Sequence, residues 1–156
     1  MLLRSVSRIA VAVCLTAAVT STSGCVDEQS LDSLVEDFIA ERNGQISTIC
    51  DCYRDWGMSS RVDCERILEE SSGLASLGPS SRRCLVDAYG RDESASRQYL
   101  ECIVPLQEEY TDCLDKRLIC ADPEPAFANC ARDYDVGRER CIELPTTVGR
   151  AVSECL

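Results

Sequence analysis

Apolar residues recur at three- and four-residue steps through most of the chain, the spacing that places them on one side of an α-helix. Leu31, Leu34, Val35, Phe38 and Ile39 form the first stripe, and Ser33 with Glu36 reads as a capping box. Asn43-Gly44, a pair that tolerates positive φ, is expected to end that helix. A second turn or two follows over 46–56, with Ile49, Cys50 and Tyr53 on one side, and stops at Gly57. Ser59 and Ser60 can cap a third helix, "RVDCERILEE", whose apolar side is Val62, Cys64, Ile67 and Leu68. The turn-rich "SSGLASLGPSS" then leads to a fourth, "RRCLVDAY", ending at Gly90.

Asp92 can cap the longest helix, which runs to about Leu118. Ala95, Tyr99, Cys102, Leu106, Tyr110 and Cys113 make its stripe, and Pro105 is expected to kink it. "CADPEP" breaks the chain, 126–143 reads as the next helix, and Pro145 precedes a last short one ending near Cys155. Period-two alternation, the mark of a half-buried strand, is missing throughout. The expected fold class is all-α, a small disulfide-stapled bundle of short helices and helical hairpins over residues 31–156.

Cysteine spacing suggests how the helices pair. Cys102 and Cys113 lie eleven positions apart, which on a helix is about 16 Å and nearly the same face. Cys130 and Cys141 repeat that spacing on the following helix. An antiparallel fold about the 119–124 turn would bring Cys113 to Cys130 and Cys102 to Cys141 as rungs of a ladder. A similar count pairs Cys64 with Cys84, leaving Cys50 and Cys52 for Cys120 and Cys155 in either order. A rival pairing joins Cys84 to Cys102 across Gly90 and would unmake the ladder. The ladder resembles that of the coiled-coil–helix–coiled-coil–helix proteins in its logic alone, since their spacer is one residue shorter.

The first residues are of another kind. "MLLRSVSR" is basic, "IAVAVCLTAAV" is uncharged, and the small residues 20–24 follow, the three parts of a secretory signal. The apolar run is too short to span a bilayer, which takes about 20 residues. "TSGC" resembles the bacterial lipobox, in which a small residue precedes a cysteine that becomes diacylated and N-terminal. Gly24, Ser23 and Cys25 match that pattern; Thr22 departs from it, since an aliphatic residue is usual there. The resemblance implies a signal peptide over 1–24, lipidation at Cys25, a tether over 25–30, and, with Val26 next, an outer-membrane address. Simple secretion is the alternative. Parity agrees, because with Cys14 removed and Cys25 acylated, ten of the twelve cysteines remain as an even set.

The signal holds two of the sixteen basic residues and none of the 27 acidic ones, so the mature chain carries a net charge of −13. Such a surface repels nucleic acid and anionic headgroups and argues against a nucleic-acid partner. The membrane, reached through the acylated N-terminus, and a protein are the partners expected.

No histidine is present, which removes the usual general base of hydrolases and the commonest zinc ligand. Neither a glycine-rich phosphate loop nor an HExxH motif occurs. "CDC" at Cys50 and Cys52 could exchange disulfides or hold zinc or copper(I), but a second close pair to complete a four-thiolate site is lacking. The acidic runs "QEEY" and "DPEP" match no EF-hand loop. Trp56, one turn after Tyr53, is expected to supply core. The chain is similar in general layout to the cysteine-rich lipoproteins predicted in myxobacteria, a resemblance that implies no particular activity. The expected function is a non-catalytic, lipid-anchored, disulfide-stabilised envelope protein acting as an interaction or binding module, without cofactor or metal. The alternative is a periplasmic thiol-redox or metal protein using Cys50 and Cys52.

Overall fold

The computed structural model describes residues 29–72 and 76–156, so the signal, Cys25 and most of the tether lie outside the described residues. All regular structure among them is helical. The helices are α1 (Leu31–Cys50), α2 (Arg61–Ser72), α3 (Pro79–Tyr89), α4 (Glu93–Arg117), α5 (Glu124–Arg138) and α6 (Thr146–Ser153), with a 3₁₀ turn at Gly90–Asp92.

α1 is one helix where the sequence suggested two. Ser30, one turn before the expected cap, accepts the Ser33 N–H at 3.2 Å, while Glu36 pairs with Arg82 of α3. Asn43 does not stop the helix, because its side chain is committed elsewhere. Its Oδ1 accepts the Leu77 N–H at 2.9 Å and its Nδ2 donates to the Leu77 carbonyl at 3.1 Å, so it holds the chain ahead of α3. The 20 residues of α1 therefore span about 30 Å and run past both halves of the molecule. The chain turns only at 51–57, where Gly57 takes φ 72°, a left-handed conformation in which a side chain would be strained.

α4 is the central partner. Ser96, Leu100, Ile103, Gln107 and Leu114 are its buried row, offset by one position from most of the expected stripe. Tyr99, Cys102, Leu106, Tyr110 and Cys113 are half-buried and belong to the side toward α5. Two rows are covered because α4 packs against α1 on one side and α5 on the other. Asp92 caps it as expected, accepting the Ala95 N–H. The helix continues through Pro105, whose missing N–H leaves only the carbonyl of exposed Glu101 to water.

α1 and α4 run parallel. Near their N-termini Arg97 donates to the Gln29 carbonyl, and near their C-termini Gly44 faces Thr111. α5 returns antiparallel to α4, so close that a Cβ on Gly137 would lie 2.5 Å from the Leu106 side chain. α5 ends at Arg138, five residues before its expected end, and Cys141 sits in the turn beyond it, its N–H donating to the Arg138 carbonyl.

Five disulfides join the elements. Cys102–Cys141 and Cys113–Cys130 tie α4 to α5 and the turn after it. The others are Cys50–Cys64, Cys52–Cys120 and Cys84–Cys155. The expected Cys64–Cys84 pair does not form, nor does Cys84–Cys102, and Cys155 bonds neither Cys50 nor Cys52. The continuous α1 explains the difference. α2 packs on its C-terminal half through Cys50, α3 packs on its N-terminal half through Phe38 and Tyr89, and Cys84 of α3 meets the end of α6. Cysteines on opposite halves of a 30 Å rod cannot approach within the roughly 7 Å between α-carbons that a disulfide needs.

Two kinds of core result. One half is hydrocarbon: Leu34, Val35, Phe38, Leu85, Tyr89, Leu100, Ile103 and Val148. In the other, small clusters form around Ile46, Ile49 and Leu114 with Cys50, Cys64 and Cys130. Each disulfide restricts the unfolded chain by an amount that grows with loop length. Replacing Cys84 and Cys155 together by alanine (separation 71) is expected to destabilise by about 4 kcal/mol, and replacing Cys50 and Cys64 (separation 14) by about 3 kcal/mol, read as the shift in denaturant midpoint. A non-reducing peptide map should return these five pairs.

Candidate functional site

A cavity of about 500 Å³ opens between α1, α4 and α5, closed at one end by the 51–57 turn and α2. α1 contributes Arg42, Gln45 and Ile49, residues spaced to share one side of the helix. α4 contributes Gln107 and Tyr110, α5 contributes Phe127, Ala131 and Tyr134, and Trp56 and Leu68 complete the wall.

The rings stand in two pairs. Trp56 and Phe127 have centroids 6.3 Å apart at 46°, and Tyr110 and Tyr134 lie 5.6 Å apart at 55°. Trp56 is fixed by its indole N–H, which donates to the Cys120 carbonyl at 3.0 Å. The Cys52–Cys120 bond anchors that carbonyl and the turn bearing Trp56 to each other. Trp56 is half-buried, part of a core cluster and also a cavity wall.

Polar groups gather at the other end. Gln45 and Gln107 are only 8% and 6% exposed. Burial raises the Tyr134 phenol, and the neighbouring Gln107 side chain offsets a small part of that rise. Its Oε1 is buried and accepts no hydrogen bond. Burial pushes the Arg42 guanidinium down from its ordinary value, while the Tyr134 and Tyr89 phenols pull it up. Burial also raises the phenols of Tyr89, Tyr99, Tyr110 and Tyr134.

The lining holds no carboxylate, thiol, imidazole or aliphatic hydroxyl. It can enclose, stack and hydrogen-bond, and its ionisable groups are the Arg42 guanidinium and the Tyr110 and Tyr134 phenols. Cys50 and Cys52, two positions apart in sequence, are both buried and bonded to separate partners. Among the described residues no group of three or more acidic or cysteine side chains is placed to hold a metal ion. Of "QEEY", only Gln107 and Tyr110 enter the cavity, while Glu108 and Glu109 are exposed.

Gln45 and Gln107 are not among the site residues expected from the sequence. A signal for Gln107 existed, since Leu100, Ile103 and Leu114 define a row in which it stands as the one amide. Gln45 fell beyond the presumed end of α1.

No family model matches the chain, nor does any curated protein or solved structure. Five disulfides mark a chain that matures in an oxidising, extracytoplasmic compartment. No helix among the described residues is long and apolar enough to cross a membrane.

Replacing the orphaned Gln107 by an apolar residue of similar size removes an unmet acceptor at the loss of one hydrogen bond. Gln107→Leu is therefore expected to raise stability by about 1 kcal/mol in chemical denaturation. The phenols predict the alkaline limb. A phenol harder to ionise in the folded chain than in the unfolded one supports the fold only while protonated. Stability is then full below about pH 10 and falls as pH rises past it, with tyrosinate absorbance delayed in the folded chain relative to the denatured one.

Proposed function

We propose that this chain is a non-catalytic, lipid-anchored binding module of the bacterial cell envelope, with the α1–α4–α5 cavity as its ligand site. The observation that supports it is the lining: four aromatic rings and a small set of convergent polar groups, without a carboxylate, thiol or imidazole. The lipobox-like "TSGC" supports acylation of Cys25, and a tether of six residues keeps the domain near the bilayer, on the outer membrane. Several acyl chains act together there, each buried methylene contributing about 0.8 kcal/mol. The thiol or metal alternative at Cys50 and Cys52 would require two buried disulfides to open first.

Two measurements test the parts separately. The native protein is expected in the detergent phase with a triacylated N-terminal peptide, and Cys25→Ser in the aqueous phase; equal partitioning would remove the anchor. In the soluble Cys25→Ser chain, Nile red is expected to fluoresce on binding, and Ala131→Phe, which fills the cavity, to abolish the signal. Uptake unchanged by Ala131→Phe would place binding elsewhere.

A further inference from the structure

We infer that the cavity takes an uncharged, ring-bearing molecule carrying an O–H or N–H donor, and that Gln107 Oε1 receives that donor. This rests on the binding reading above and adds the chemistry of the ligand.

The first support is the orphaned acceptor. Gln107 lines the cavity, is more than nine-tenths buried and has a carbonyl oxygen without a partner. Buried acceptors are nearly always satisfied, so an unmet one penalises the empty protein. A ligand that donates there relieves the penalty and gains a hydrogen bond, whereas a ligand with acceptors only gains neither. The terminal amide torsion of glutamine is broad, so the oxygen can swing toward a guest at little expense.

Charge narrows the class further. The half-buried Arg42 guanidinium on the wall opposes a cation. An anion must approach a mature chain of net charge −13, and on α1 the Glu41 carboxyl is raised by burial and by the nearby charge of Glu108 on α4. A neutral guest meets neither barrier.

The walls supply the rest. Two tilted ring pairs face a volume of about 500 Å³. Pockets of that size suit a molecule of a few rings, which can offer a flat face to the tryptophan and an edge to the tyrosines.

The test compares phenol with anisole, which have the same ring and differ in the donor. The full chain is used with its five disulfides intact, and emission excited at the red edge reports on Trp56, the single tryptophan of the sequence. Phenol is expected to bind about tenfold more tightly than anisole, the discrimination of one neutral hydrogen bond. Gln107→Leu is expected to bring phenol down to the anisole level and leave anisole unchanged, which also shows that the variant folds. Benzoate and benzylammonium are expected to bind more weakly than phenol.

Equal affinity for phenol and anisole, a phenol preference that survives Gln107→Leu, or tighter binding of either charged probe would overturn this inference while leaving the binding module standing. Should Gln107→Leu not fold, the wild-type comparison decides alone. Absence of binding by every probe would overturn the cavity reading itself, and this inference with it.

Discussion

Parallel helices cannot be joined by a short turn, and their aligned dipoles set like partial charges side by side at both ends. α1 and α4 accept both penalties, and much of the remaining architecture answers them. The chain must return from the end of α1 to the start of α4, and α2 and α3 form that crossover. The two C-terminal ends are clamped by Cys52–Cys120, which joins the residues just beyond each helix, and by the Trp56 indole on the Cys120 carbonyl. At the opposite ends Arg97 reaches the Gln29 carbonyl. The pair is thus fastened at its two extremities, with apolar packing between.

The fasteners differ because the packing does. Near the start of α1, α3 and α6 complete a hydrocarbon core, and one disulfide, Cys84–Cys155, suffices to hold them together. Near its end large aliphatic residues are scarce, and Cys50, Cys64 and Cys130 occupy the buried positions. A disulfide serves there twice, filling volume as a small apolar group and limiting the unfolded ensemble. The salt bridges among the described residues are mostly surface pairs within one helix and add little.

The cavity lies where these two solutions meet. A chain optimised for stability alone would place leucine where Gln107 stands and close the gap. Local rules that fail in an otherwise consistent structure concentrate at functional sites. Here the departure is an amide among aliphatic residues, its oxygen left without a partner, beside aromatic walls of which Trp56 is held through the Cys52–Cys120 bond. The rigidity of that frame means that a guest need not organise the site, so less of its binding energy is spent on ordering.

The sequence by itself determined the helical class, the Asp92 cap and the 119–124 turn, and it offered Ser60 as a cap and the two rungs from α4, the latter against one rival pairing. All of these depend on residues close in the chain or on a hairpin whose geometry follows from helical pitch. It did not determine that α1 is continuous. Asn43-Gly44 carries a sound local stop signal, overruled because Asn43 finds partners on Leu77, 34 residues away. That one misreading propagated, since a divided α1 lets Cys64 meet Cys84 and a whole one keeps them apart. The cavity was likewise illegible: Gln45 and Gln107 become a site only when α1 and α4 lie parallel and face to face. Local propensity fixes what forms within a few residues, whereas the choice among long-range pairings is settled by which contacts bury most together, and that sum exists only in three dimensions.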